Sequence, residues 1–415
     1  MRVNGIRRHG VPRNLQRGLF LAYGPDGTRK QMEPLRKTER AFPIKSTIEK
    51  PEKQEETASF LKKIAKHAAI PLVLAANQFF LHSPWVAGGS AEKAARRVLE
   101  LNRKKMHAIV CYLGEHLTSR EEVEGMVREY LRLIDLLANR GAYGTTIAVR
   151  PSSFGTEIPD SDRLEFCWRN LDLLAARCKE RGIRICIDME SSEFADYTLE
   201  LYRNLRDEHG WSRVGTVLQA NLRRSAEDLR AIIQDSQAEE HPVLPRLVRG
   251  IYREKGPGAI EEYDAIHANF SELIRIAFEE SKQGTHIILA THHEGRILEA
   301  LKLAKAHPDK ILEIQMLKGI KPELQEKLRK AGVYVTEYVP YGPNCFPYCV
   351  RRMGESPDFF RMTLETGMPK FLKPFIKPKW IMKVYSWYTE HELNTSSSKG
   401  SEKDARELDA YLSLK

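Results

Sequence analysis

Residues 333–360 read VYVTEYVPYGPNCFPYCVRRMGESPDFF and contain one complete strand–turn–helix unit. A β-branched and aromatic run opens the stretch, a Pro-Gly turn at 340–344 follows, and a helical pattern comes next. The helical part carries Arg351, Arg352 and Glu355, with the glutamate one turn after the first arginine. Two adjacent guanidinium groups beside a strand end suit a small carboxylate, and Glu355 would keep them oriented. The alternative is a basic surface helix with one ordinary ion pair.

The same unit repeats along the chain, as short apolar runs alternate with helical patterns. The predicted strands are 107–113, 145–149, 183–187, 214–218, 246–250, 286–290, 311–316 and 333–338. The predicted helices between them are 120–138, 164–181, 195–208, 226–236, 261–282, 296–306 and 321–330. Eight strand–helix units predict an α/β fold, a (β/α)8 TIM barrel. A doubly wound open sheet is the alternative, but no G-x-G-x-x-G follows the first strand.

Segments of different character flank the predicted barrel, which we bound at 107–365. Residues 1–56 are a basic N-terminal extension, and 57–106 contain helices at 57–69 and 91–105, the second with Ser90 as its N-cap. Residues 366–415 form a basic aromatic tail, a flexible linker at 394–403 and a terminal helix. Within the tail, 368–388 interleaves lysines with aromatic residues and contains no acid. This segment either contacts a membrane surface or packs on the barrel with its lysines reaching water.

Composition restricts the class of protein. The formal net charge is +10, but most of the excess lies near the two ends, and no helix-turn-helix, zinc-finger or RNA-binding signature accompanies it. We therefore expect no nucleic-acid partner. The six cysteines have no C-x-x-C spacing and lie in apolar surroundings, which predicts reduced, buried thiols and a reducing compartment.

We expect a cytoplasmic protein that can lie on the inner face of the membrane. The best apolar run, 68–81, is too short to span a bilayer and contains Pro71. No signal peptide opens the chain. The first 25 residues are Arg-rich and free of acids but lack the serines of a mitochondrial presequence, so a mitochondrial location is the weaker alternative.

Polar residues gather at the predicted C-terminal ends of the strands, where barrel enzymes hold their reactive groups. They are Glu115, Arg150, Asp188, Glu190, Gln219, Arg246, Arg249, Thr291, His292, His293, Gln315 and Tyr338. Several cations and no nucleophile elbow favour an anionic substrate or cofactor over acyl transfer. Two adjacent histidines point to opposite sides of an extended strand, so we expect no metal site.

These residues belong to motifs that resemble those of the proline dehydrogenases, the flavoenzymes that begin proline catabolism. YVPYGPNCFPYCVRRMGE (338–355) is similar to the signature of that family. The other similar segments are YLGEHL (112–117), ICIDME (185–190), VLQAN (217–221), RLVRGIYRE (246–254) and ILATHH (288–293). They occur in the order of the family between about 85 and 365, which is about two-thirds of the chain.

The resemblance implies a distorted barrel that binds FAD non-covalently. It implies oxidation of L-proline, or a close analogue, to 1-pyrroline-5-carboxylate by hydride transfer to the flavin, with electrons passed to a quinone. Asp188 is then the active-site carboxylate, and Arg246 lies near the reactive nitrogen of the flavin. The FAD-contacting positions would be Met189, Gln219, Arg249, Gly250, Ile251, Thr291 and His292.

The resemblance also assigns the substrate site. Arg351 and Arg352 would bind the proline carboxylate, Tyr338 and Tyr348 would wall the ring, and Glu115 would close over it by pairing with Arg351. Glu355 would orient the arginine pair.

Two positions depart from the family pattern. Arg150, followed by Pro151, stands where the family usually has a third, lysine cation, and Asn221 stands where an aromatic residue is common. These departures concern the identity of the substrate. Two alternatives remain open, a divergent member that oxidises another cyclic amino acid and a non-catalytic, membrane-associated scaffold.

Overall fold

The structure is a computed structural model that describes residues 84–114, 116–250, 254–345, 348–349 and 397–413. Some predictions fall outside these residues. They are the helix at 57–69, the basic segment 368–388 and the site residues Glu115, Ile251, Arg351, Arg352 and Glu355.

Eight parallel strands close into a barrel. They are β1 His107–Tyr112, β2 Thr145–Val149, β3 Arg184–Ile187, β4 Val214–Gln219, β5 Val243–Val248, β6 His286–Ala290, β7 Ile311–Leu317 and β8 Tyr334–Tyr341. Each strand pairs with the next along the chain, and β8 pairs with β1 to complete the ring. This confirms the (β/α)8 barrel and excludes the open sheet.

Helices lie between the strands and at both ends of the described chain. They are α1 Ala91–Arg103, α2 Arg120–Asn139, α3 Arg163–Glu180, α4 Ala195–His209, α5 Ser225–Asp235, α6 Tyr263–Glu279, α7 Glu294–Ala306, α8 Pro322–Lys330 and α9 Ser397–Ser413. Ser90 is the N-cap of α1, as predicted. A capping box at Ser119 and Glu122 begins α2.

The interior of the barrel and the inner faces of the helices form one hydrophobic core. The strands are largely buried, and β4 is buried at every residue, because both faces of a parallel sheet are covered. All six cysteines are buried, which confirms the prediction of buried thiols. No helix within the described ranges is both long and apolar enough to cross a membrane.

Two strands differ from their predicted bounds by three residues at one end. The fifth strand begins at Val243 and ends at Val248, because Gly250 has a left-handed φ of 95° that an extended strand does not accommodate. The eighth strand continues through Pro340 to Tyr341, where a turn was predicted. Pro340 aligns with Cys111 of β1, and its carbonyl accepts a hydrogen bond from Ala87 N. The proline keeps its acceptor, so the strand continues.

The predicted linker at 394–403 was wrong from Ser397 onward, because α9 begins there. The helix is anchored further along, where Leu408 is buried and Tyr411 donates a hydrogen bond to the carbonyl of Leu301 on α7. Lys327 of α8 also pairs with Asp409. Once packing fixes this part, each further residue adds a helical hydrogen bond at little cost, and the polar sequence before it joins the helix.

Candidate active site at the C-terminal ends of the strands

Asp188 lies at the centre of the candidate site. It directly follows β3, and its amide donates to the carbonyl of Val149 at the end of β2. Its Oδ1 accepts a hydrogen bond from Arg246 Nη1 of β5 at 2.9 Å, and its Oδ2 accepts one from Tyr338 OH of β8 at 2.8 Å. Closure of the barrel therefore joins three residues that are far apart in sequence.

The electrostatics fix the protonation of this triad. Burial disfavours the charge on Arg246, but the Asp188 carboxylate, together with the neighbouring Cys186 and Tyr338, raises the pKa of the guanidinium. Burial, followed by the charge of Asp188, raises the pKa of Tyr338 well above its ordinary value. Arg246 therefore stays a cation and Tyr338 stays a hydrogen-bond donor. The guanidinium carbon of Arg246 also lies 5.3 Å from the centre of the Tyr338 ring.

Arg150 adds a second cation to the same carboxylate. It follows β2, is buried, and places Nε 4.0 Å from Oδ2 of Asp188. The position that departs from the family's lysine therefore lies inside the site. Two guanidinium groups therefore lie beside one carboxylate, an arrangement that suits an anionic group of a ligand.

Hydrogen bonds between Ser152 and Glu190, which the sequence did not reveal, hold the turn that follows Arg150. The buried carboxylate of Glu190 accepts hydrogen bonds from Ser152 N at 2.8 Å and Ser152 Oγ at 2.5 Å. Ser152 lies in the short 3-10 turn Pro151–Phe154 that follows Arg150. The next residue, Ser153, donates to the carbonyl of Gly114 at the end of β1. The Pro-Ser-Ser sequence after a strand was the available signal, but its partners are 38 or more residues away.

Two predicted flavin contacts, Met189 and Gln219, lie beside Glu190. Met189 is buried between Asp188 and Glu190. Gln219, at the end of β4, is buried and donates its side-chain amide to the backbone carbonyl of Glu190 at 2.9 Å. Both are therefore near the triad.

The other described flavin positions follow β5 and β6. Arg249 is half-buried, with its guanidinium carbon 6.0 Å from the Tyr263 ring. At Gly250, an added Cβ would lie 2.0 Å from Oδ1 of Asn221, so a side chain there is excluded by space as well as by φ. Thr291 Oγ1 accepts a hydrogen bond from the amide of His293. His292 Nε2 accepts one from Leu317 N at 2.8 Å, which links β6 to β7.

Two candidate residues make contacts outside the triad. Tyr348 is buried in a small cluster with Trp85, Leu113 and Ile320, so its contact with a substrate ring stays a prediction. Gln315 directs its amide to Glu313, one layer lower in the barrel. Among the described residues, no group of three or more histidine, cysteine or acidic side chains is placed to hold a metal ion.

Comparisons with known proteins point to one family. The sequence profile of that family, described as proline dehydrogenase, matches residues 94–358. The chain is 32% identical to proline dehydrogenase 1 of Bacillus subtilis over 66% of its length and 86% of that protein. It is 33% identical to the proline dehydrogenase of Deinococcus radiodurans, over 66% of this chain and 85% of that one.

Among solved structures, the chain is similar to proline utilization A of Bdellovibrio bacteriovorus, with a TM-score of 0.60 and 21% identity. The match covers 72% of this chain but only 33% of that larger protein. At this identity the likeness supports the fold, while the sequence relatives support the family.

Proposed function

This chain belongs to the proline dehydrogenase family and is an oxidoreductase, and from that premise we propose that it oxidises L-proline to 1-pyrroline-5-carboxylate with FAD as hydride acceptor. A hydride leaves the ring carbon beside the nitrogen, the N–H proton passes to solvent, and a C=N bond forms. The observation that carries the proposal is the buried Asp188–Arg246–Tyr338 triad at the C-terminal ends of the strands, where barrel enzymes act.

The residues present fit FAD. Arg246 Nε is buried and has no hydrogen-bond partner among the described residues, so the site retains an unused cationic donor. Arg249 and Gly250 follow on the same chain segment, and this glycine makes room for the Asn221 side chain beside the site. We infer that Gln219, Thr291 and His292 also contact the cofactor. When bound, FAD supplies the acceptor for the hydride and the electron pair.

The chain's own residues orient the groups of the site and neutralise charge that develops in the reaction. Asp188 fixes the direction of Arg246 through Nη1, so the guanidinium is held without reorganisation where negative charge develops during the reaction. The hydroxyl of Tyr338 is held by the same carboxylate, which fixes the plane of its ring as a wall for the substrate. Arg150 supplies a further cation on the substrate side.

The carboxylate end of the substrate site is proposed from sequence. Arg351 and Arg352, oriented by Glu355, would bind the carboxylate with two guanidinium groups, and Glu115 would close the site by pairing with Arg351. Tyr348 would complete the wall. Arg351→Met and Arg352→Met should each raise KM for proline at least tenfold with bound FAD unchanged. Arg128→Met, which removes an exposed arginine on α2, is the matched control. Unchanged proline kinetics in both test variants would contradict the clamp.

The electron acceptor and location are also proposals. We propose that electrons pass to a quinone at the inner face of a membrane, with the protein cytoplasmic and bound through 368–388, where lysines and aromatic residues alternate. Co-sedimentation with anionic liposomes should fall when residues 366–415 are removed. Equal pelleting with and without that segment would dismiss the membrane contact.

Anaerobic reduction tests the central proposal. The purified yellow protein should lose its flavin absorbance on addition of L-proline. A yellow protein that is indifferent to proline would point instead to another cyclic amino acid as substrate. A colourless protein that does not take up FAD would support the non-catalytic scaffold.

A further inference from the structure

A polar cavity lies at the opposite end of the barrel from the candidate active site. It measures about 310 Å³ and opens beneath the first residues of β2, β3 and β4. Its lining includes Arg184, Arg213, Thr146, Ser212 and Glu313. Ligand pockets commonly run from about 300 to 1,000 Å³, so this cavity suits a small ligand.

The one acidic side chain in this lining already has close partners for both oxygens. Oε1 of Glu313 accepts from Gln315 Nε2 at 2.7 Å, and Oε2 lies 2.9 Å from His286 Nε2. Burial favours the neutral acid, but the contact with His286, together with the charge of Arg184, lowers the pKa of Glu313 to about 2. Glu313 is therefore ionised and engaged elsewhere.

The two arginines are left without such partners. Arg184 Nε is buried without a hydrogen bond, and neither Arg184 nor Arg213 forms an ion pair within the described part of the chain. By contrast, Arg97 pairs with Glu337 and Arg246 pairs with Asp188. Glu313 lies near enough for the two charges to interact, but Arg184 Nε has no hydrogen-bond partner among the described residues, and a ligand oxygen can supply one.

The position of Arg184 suits this role. An added Cβ on Gly215 of β4 would lie 3.8 Å from Arg184 Nη2, so the guanidinium extends over the neighbouring strand toward the cavity. Thr146 and Ser212 also line the cavity. Two guanidinium groups against one engaged carboxylate give the cavity a net positive charge.

We propose that this cavity binds a small tetrahedral oxyanion of the phosphate type, held by Arg184 and Arg213 and completed by the hydroxyls of Thr146 and Ser212. The ligand is either free phosphate or the phosphoryl group of a larger molecule. It would bind at the N-terminal end of the strands, where TIM barrels hold stabilising rather than catalytic features. The proposal is independent of the proline-oxidising activity.

Calorimetry and thermal unfolding of the full flavin-loaded chain test whether this cavity binds phosphate. Inorganic phosphate should bind saturably and raise Tm above the value in sodium chloride of equal ionic strength. Arg184→Met and Arg213→Met should each weaken phosphate binding at least tenfold. Arg184→Lys keeps the charge but loses the planar fork, so it should weaken binding less than Arg184→Met does. Arg140→Met removes an exposed arginine at the end of α2, outside the cavity, and is the matched control.

A melt of each variant in chloride first establishes that it folds. AMP at the same concentration separates the two sources, since tighter binding than phosphate indicates a phosphoryl group on a larger molecule and weaker binding indicates the free ion. The proposal is overturned if the wild type shows no saturable phosphate binding. It is equally overturned if Arg184→Met and Arg213→Met bind phosphate as the wild type does.

Discussion

Replacing Asp188 by asparagine tests the triad most directly. The substitution keeps the shape and one acceptor oxygen but removes the negative charge that faces Arg246 at 2.9 Å and Arg150 at 4.0 Å. Removing one partner of a buried ion pair typically costs about 3–5 kcal/mol, because the other charge stays buried and unpaired. The Arg246 side chain keeps 15% exposure, so water can partly compensate. We therefore expect a loss at the lower end, about 3 kcal/mol.

Urea denaturation of the flavin-free protein measures this loss without relying on activity. A double-mutant cycle with Tyr338→Phe, which deletes only the hydroxyl bound to Oδ2, should give a coupling of about 0.5–3 kcal/mol. The reasoning is refuted if Asp188→Asn changes the free energy of unfolding by less than about 0.5 kcal/mol, the range of ordinary surface substitutions. It is also refuted if the two substitutions are simply additive.

Three further substitutions probe other buried polar contacts. Ser152→Ala removes the hydrogen bond from the serine hydroxyl to the Glu190 carboxylate and should lower the free energy of unfolding by about 1.5–3 kcal/mol in urea. An unchanged urea midpoint would contradict a stabilising role for this contact. Glu337→Gln breaks the two-bond pair that ties α1 to β8 through Arg97, and should cost about 3–5 kcal/mol with earlier proteolysis near residue 90. Glu313 has a lowered pKa of about 2, so its stabilisation, on the order of 3 kcal/mol, is present above about pH 4.5 and is lost as the pH falls towards 2. The stability deficit of Glu313→Gln should therefore shrink across that range in pH-dependent urea melts, and a constant deficit would contradict the assignment.

The strand and helix bounds were largely predictable because each element has a local signal. Alternating apolar runs and helical patterns placed all eight strands to within about three residues at each end. The fifth strand was predicted too late, since the apolar character of 243–245 is interrupted by Pro245. The start of α9 was missed because the stretch before it is polar and only docking on α7 makes it helical.

The candidate site was predictable as a set of positions but not as a network. Strand ends of a barrel meet at one face, so Asp188, Arg246, Tyr338 and Arg150 could be expected there together. Which atoms touch depends on the register between strands that are distant in sequence. That Glu190 would bind Ser152, and Gln315 would turn toward Glu313, followed only from the packed structure.

The sequence by itself determined the eightfold alternation of strand and helix, the likeness to a family of flavoenzymes and the residues at the catalytic face, because these depend on local periodicity and on short motifs. Only the tertiary structure decided how charges are shared across the barrel. It gave Asp188 two guanidinium neighbours, and at the opposite end it left Arg184 Nε without a hydrogen-bond partner among the described residues. The physical reason is that the pairing of buried charges depends on distances of a few ångströms between strands, and those distances are set only when the barrel closes.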